Sequence, residues 1–305
     1  MPQLINSDGS RVIVQMAKQQ THERAFLKNL GFCLDKKPHQ ITRLLLKSLN
    51  AECRARLEYV WAMRSTGLAT GLEQYLIPQT VRQAALLFSY DWPRTVVSFE
   101  WLDQIVSRAN YKSMVEMGCG PGFLLKYLLD RHPGIKVQGI DTAENLIRIG
   151  TELCKSRLIV GDYLNAEPDD AYEFVVCNFG FDLPKFAPSS TPHSEATCSG
   201  ASYCLGCSDD FKVQIEEYVK SWRRWATRDA PLAVAGRITD FGMLRAFVLA
   251  AQQGGWNLIL EASTMLTVTN IEPDIERFPA LLFLPKKDQN SNLMLEDIAK
   301  FYLEG

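Results

Sequence analysis

The sequence predicts an α/β protein: a mostly parallel sheet with helices on both faces, preceded by an all-helical N-terminal cap. Three observations predict it. From about residue 111 onward, short apolar runs that read as strands alternate with helical stretches, the pattern of consecutive βαβ units. Residues 1–110 place apolar side chains at helical spacing and show no strand pattern. The chain has 305 residues, 47% hydrophobic and 22% charged, which is enough apolar material for a large core and enough length for two units.

The elements follow in order. A helix over residues 14–30 stops at Gly31, a C-terminal cap. Ile41, Leu45, Leu49, Cys53, Leu57 and Trp61 recur every four residues and predict one amphipathic helix over 41–63. Gly67 and Gly71 break the next stretch, Pro78 opens a helix through 81–90, and 101–109 is a further helix. Strands are expected at 113–117, 135–140, 157–160, 172–177 and 232–237, with closing strands at 258–262 and 278–284. Helices fill 123–129, 143–151, 210–226 and 241–253. The organisation read from this is a cap over 1–110, a sheet domain over 111–287 with an irregular insertion at 183–208, and a C-terminal helix or tail over 288–305.

Composition narrows the function classes. No apolar run approaches the ~20 residues of a membrane helix, and the polar N-terminus lacks an apolar signal segment, so a cytoplasmic protein is expected. Eight scattered cysteines then read as thiols or metal ligands rather than disulfides. The net charge of −2 argues against a nucleic-acid partner. Residues 1–110 hold 14 Lys+Arg against 9 Asp+Glu, and the remainder 19 against 26. A basic lobe of this kind either attracts an anionic substrate or is ordinary helix-surface charge.

Glu116-Met117-Gly118-Cys119-Gly120-Pro121-Gly122 lies between the first strand and its helix. Alternate glycines let the backbone turn tightly and approach a ligand that a Cβ would exclude. A dinucleotide finger would need glycine where Phe123 stands, and no Gly-Lys-Ser/Thr follows to make a P-loop. Glu116, ending the strand, suits a ligand with a positive group better than a pyrophosphate.

This run resembles the first motif of class I S-adenosylmethionine-dependent methyltransferases, in order and spacing over about residues 111–285. The resemblance implies a Rossmann-like sheet, S-adenosylmethionine as cofactor, and Glu116, Gly118, Cys119, Gly120 and Gly122 around it. Asp141, followed by Thr142, stands where the family places the acid that holds both ribose hydroxyls. Asp162, before Tyr163, stands where the family's acid meets the adenine amino group. Asn178, followed by Phe179, stands at the mouth where methyl transfer occurs. Carboxylates suit hydroxyls and amines through charge-assisted bonds, and the rings of Tyr163 and Phe179 can cover the adenine or face the sulfonium. Each acid is equally suited to capping a helix.

Some amino-group methyltransferases carry Asn-Pro-Pro-Tyr at this strand end, where this chain has Asn178-Phe179-Gly180-Phe181. The departure speaks against a planar exocyclic amine on adenine or glutamine as acceptor. In the insertion, Asp182 and His193 are candidates to orient the acceptor or take its proton. His193, Cys198, Cys204 and Cys207 have the donor types of a structural Zn²⁺ site, against free thiols or an oxidised disulfide. Tyr90, Asp91 and Trp92 either line the acceptor site or pack at the junction. The expected activity is methylation of a small-molecule acceptor in a biosynthetic pathway. The alternatives are a protein or RNA acceptor docked on the basic lobe, and a non-catalytic cofactor-binding scaffold. The acceptor, the atom methylated and the oligomeric state are left open.

Overall fold

The computed structural model describes residues 21–66, 72–180, 205–236, 238, 241–269, 275–286 and 295–304. Helix α1 (His22–Leu30) starts later than expected, because the Thr21 hydroxyl accepts the Arg24 N–H and caps it there; Gly31, at φ 100°, closes it. Two helices, α2 (Pro38–Ser48) and α3 (Ala51–Ser65), replace the single one expected over 41–63. The break is local chemistry. Leu49 is extended, and the Asn50 side chain accepts the Cys53 N–H at 2.8 Å and starts a new helix. A 3₁₀ turn (Leu72–Leu76) and α4 (Val81–Phe88) follow. Helix α5 (Trp92–Ala109) begins well before residue 101, with Pro93 in its first turn.

The sheet portion runs β1 (Ser113–Met117), α6 (Phe123–Arg131), β2 (Lys136–Asp141), α7 (Glu144–Cys154), β3 (Ile159–Val160), β4 (Val175–Asn178), α8 (Leu205–Arg224), β5 (Leu232–Ala235), α9 (Phe241–Gln253), β6 (Trp256–Leu258), β7 (Thr264–Thr269), β8 (Ile275–Pro285) and α10 (Leu295–Glu304). Strand order is β3-β2-β1-β4-β5-β8-β6, with β7 paired to β8. Strands β1 to β5 are parallel, and β8 is antiparallel to β5, β6 and β7. The Rossmann-like α/β sheet is therefore present. Four details differ from expectation. Strand β4 starts at Val175, with Tyr172 making an isolated bridge to Ala226. Helix α8 reaches back to Leu205, so the end of the stretch expected to be irregular is helical. The strand expected over 258–262 is the short β6 followed by a 3₁₀ turn (Leu260–Ala262). Strand β7 was not foreseen.

Alternation along the strands sends side chains into two cores. Val115, Met117, Val175, Cys177, Leu232 and Val234 face α8, α9 and α10. Met114, Phe174, Val176, Ala233 and Ala235 face the other way and share one continuous core with α6, α7 and the N-terminal helices, through Leu27, Val96, Val97, Phe99 and Leu102. The outer helices α2 to α4 add a small core of their own around Leu45, Leu57 and Leu86. Tyr127 of α6 donates to Glu23 of α1 at 2.5 Å, tying cap to body inside the protein.

Candidate active site

The carboxyl ends of β1, β2 and β4 bring three predicted residues onto one face. Glu116 pairs in register with Gly139 of β2 and Val176 of β4. Asp141 and Asn178 lie two residues beyond those partners, so all three project on the same side of the sheet, toward the N-terminal helices. Glu116 is 3% exposed, and its Oε2 has no hydrogen-bond partner. Burial pushes its carboxyl well above the usual range, and the nearby Asp141 charge adds to the push. The Asn178 Oδ1 is likewise buried and unpartnered. Native proteins rarely leave such atoms unsatisfied, and a ligand's donors are one way to satisfy them.

The glycine loop accounts for all its donors internally. Gly118 and Cys119 N–H donate to Ile140 O at 2.9 and 3.1 Å, and Gly122 N–H to Cys119 O at 2.9 Å. Gly120 N–H donates to Asp141 Oδ2 at 2.8 Å, and Pro121 has no N–H. No N–H of residues 118–122 is left to cradle a phosphate, so the loop itself offers shape and the neighbouring carboxylates offer acceptors. A ligand with an ammonium group, hydroxyls and an amine fits this donor-poor, acceptor-rich cradle, and S-adenosylmethionine carries those groups.

Asp141 has a second job. Its Oδ1 accepts the Ala143 N–H at 2.8 Å while Oδ2 holds Gly120. Burial raises its pKa, opposed by the backbone bonds from Ala143, Gly120 and Thr142. Each carboxylate oxygen has a further lone pair for a hydroxyl. Asp141→Ala is therefore expected to weaken cofactor binding by about 2–3 kcal/mol, through lost charge-assisted bonds and a loosened loop together. Calorimetric titration with S-adenosylhomocysteine checks it, and unchanged affinity refutes it.

The loop after β1 is packed backbone to backbone on the residues after β4. A Cβ on Gly118 would stand 2.6 Å from Gly180 Cα, and one on Gly180 would stand 2.3 Å from Met117 O. Gly180→Ala should thus cost about 1–3 kcal/mol, read as a lower denaturation midpoint at unchanged slope. An undiminished midpoint would contradict this contact.

The other predicted residues are placed as follows. Asp162 is exposed and closes its own turn, with Oδ1 accepting the Leu164 N–H at 2.9 Å and Oδ2 the Asn165 side-chain amide at 3.1 Å. Tyr163 is buried against Tyr218 and Trp222, and its hydroxyl donates to Gly180 O at 3.4 Å. The Phe179 ring meets Phe278 edge-on and lies under the Arg94 guanidinium. Cys119 is buried in the space above Gly139, and Thr142 is exposed. Asp91 pairs with Arg94 at 2.7 Å, Tyr90 OH bonds Thr42 Oγ1 at 2.6 Å, and Trp92 lies under Arg24. Asp182, His193, Cys198 and Cys204 lie outside the described residues, and Cys207 falls on α8. Among the described residues no group of three or more His, Cys, Asp or Glu could hold a metal ion. No helix among them is long and apolar enough to cross a membrane.

Residues 114–190 match the family of methyltransferase domains. That stretch carries a methyltransferase domain. Within this methyltransferase, the matched stretch runs from β1 past the glycine loop, Asp141, Asp162 and Asn178. Several solved structures are similar. Magnesium protoporphyrin IX methyltransferase from Synechocystis PCC 6803, with S-adenosylmethionine bound, is 11% identical with a TM-score of 0.46, over 76% of this chain and 97% of that one. The N-methyltransferase NodS from Bradyrhizobium japonicum, in complex with S-adenosylhomocysteine, is 10% identical at 0.43, over 63% and 86%. A TehB-like methyltransferase from Corynebacterium glutamicum is 16% identical at 0.40, over 62% and 87%. None of the three bears on what this chain acts on. No curated protein sequence matches it.

Three features of the site escaped the sequence. The β7–β8 hairpin extends past the Ala235–Ala280 pair, beyond the carboxyl end of β5, and carries Glu276 and Phe278 to the site. Phe88 of α4 covers the glycine loop, with its Cζ 3.7 Å from where a Gly120 Cβ would stand. Gly150 of α7 lets the helix back onto the loop, since a Cβ there would meet Pro121 at 3.1 Å. A small residue on the inner face of an apolar helix was the available signal for the last of these.

Proposed function

We propose that this methyltransferase acts on a small molecule held beneath the N-terminal helices. The observation that carries the reading is enclosure. Glu116 is buried at the site's floor, Phe88 lies over the glycine loop, and Arg94 and the β7–β8 hairpin stand over Phe179. A folded protein or RNA surface needs an open approach to the reacting atoms, and cover of this kind favours a small acceptor. The basic balance of residues 1–110 then helps draw in an anionic metabolite rather than docking a macromolecule.

The bound cofactor supplies an electrophilic methyl group for in-line transfer. Glu116 would take its ammonium group, Asp141 its ribose hydroxyls and Asp162 its adenine amine, with Gly118, Gly120 and Gly122 giving close backbone approach. Asn178 stands at the mouth, with its unpartnered Oδ1 available to an acceptor or cofactor donor. Asp182 and His193 remain the candidates for orienting the acceptor or receiving its proton, and the thiols Cys198, Cys204 and Cys207 for a structural Zn²⁺ in the same segment. Because the leaving thioether needs no protonation, most of the acceleration comes from positioning, worth up to ~7–11 kcal/mol.

The test is transfer of radiolabelled methyl from S-adenosylmethionine into a cell extract separated by size. Label in the low-mass fraction supports the reading. Label confined to protein or RNA favours the docking alternative, and binding of S-adenosylhomocysteine without any transfer favours a scaffold.

A further inference from the structure

We propose that Arg94 is a positioning residue of the methyltransferase: from α5 it clamps the Asn178-Phe179-Gly180 turn in the conformation the cofactor site requires. The inference rests on the cofactor reading above and goes beyond it, because nothing in the motif pattern reaches back to residue 94.

The turn is unusual in its backbone. Phe179 has φ 58°, a left-handed conformation that L side chains seldom adopt and that persists only where the surroundings impose it. Three contacts impose it. Phe179 N–H donates to Ala235 O at 2.7 Å, fixing the turn to β5. Gly180 lies against Met117 and Gly118 with no room for a Cβ, fixing it to the glycine loop. The Arg94 guanidinium then covers the Phe179 ring, with its carbon 4.6 Å from the ring centroid. The opposite demand on the ring comes from Phe278, edge-on at 5.1 Å.

Arg94 is itself held. It is 8% exposed, pairs at 2.7 Å with Asp91, the residue just before its helix, and reaches Glu276 of β8 at 3.9 Å. One side chain thus joins three parts of the fold: the N-terminal helices, the hairpin beyond the sheet, and the end of β4. A cation over an aromatic face is attracted to it, and more strongly when water is excluded. Without the guanidinium, Phe179 can relax toward an ordinary φ. That movement swings Asn178 and pulls Gly180 away from Gly118, opening the glycine loop. The first third of the chain therefore takes part in cofactor binding as well as in enclosing the acceptor.

The experiment is a double-variant cycle read by calorimetric titration of the full chain with S-adenosylhomocysteine. Arg94→Met should weaken binding at least tenfold, and Arg94→Lys, which keeps a cation, should recover part of the loss. Phe179→Leu should weaken it comparably, and the double variant should be no worse than either alone. Phe26→Leu, in the α1 packing against Phe99 and Tyr127, controls for general loosening and should lower thermal stability without changing affinity. Wild-type affinity in Arg94→Met, losses that multiply in the double variant, or an equal loss in Phe26→Leu would each overturn the clamp. A wild-type protein that does not bind the probe removes the cofactor reading and the clamp together; binding by wild type with an unaffected Arg94→Met removes the clamp alone.

Discussion

Glu116→Gln should bind S-adenosylhomocysteine roughly 30- to 150-fold more weakly than wild type, the equivalent of about 2–3 kcal/mol for a lost charge-assisted bond. The ligand-free variant should nevertheless melt about 2–5 °C higher at pH 7.5, because a buried carboxylate with an unpartnered oxygen is a cost until a cation arrives. The sign follows from linkage. Burial and Asp141 raise the folded pKa of Glu116 well above its unfolded value of 4.5. Between those two values the native state holds the extra proton, so wild-type stability falls as pH rises through the window. The stability gap between variant and wild type should widen from about pH 5 upward. Cofactor affinity moves oppositely. An ammonium favours the ionised carboxylate, so wild-type affinity should strengthen as pH rises above the unfolded value of 4.5, and the variant should lose that dependence. Titrations at several pH values with paired melting curves decide it. Equal affinity in the two proteins would place the ammonium elsewhere, and a less stable variant would show Glu116 to be a structural hydrogen-bond partner.

Removal of residues 1–100 should leave a chain that does not fold, rather than a bare sheet domain. Read from the sequence, the first third is a separable cap. In the structure α1 and α5 complete the core on one face of the sheet, where Leu27, Phe32, Val96, Val97 and Phe99 pack with Leu124, Leu128, Phe174 and Val176. Truncation would expose that face and strip Tyr127 of its Glu23 partner. Burying a single large apolar side chain contributes about 1.5–3 kcal/mol, so losing five removes about 8–15 kcal/mol, comparable to the whole ~5–15 kcal/mol that keeps a domain folded. Circular dichroism and a melting curve on the truncated protein check this. A cooperative transition with native strand content would restore the separable cap.

What the sequence determined by itself lies in short-range pattern. Strand and helix alternation, the glycine loop and the acids at 141 and 162 were legible because each is set by a few neighbouring residues. The break at Leu49–Asn50 lies inside a four-residue apolar repeat that continues in phase across it, so the repeat by itself predicts one helix where the Asn50 cap makes two. What only the tertiary structure decided depends on residues far apart in the chain. Strand β7 is a strand because β8 offers it a partner. Gly180 must be glycine because Met117 and Gly118 crowd it, and Arg94 matters because folding brings α5 over Phe179. Likewise, Glu116 reads in sequence as a strand-ending acid; its burial with Oε2 unpartnered, the strongest sign of a ligand here, exists only once β1 is enclosed between β2 and β4 under the N-terminal helices. Local propensity is written residue by residue, whereas enclosure belongs to the whole chain.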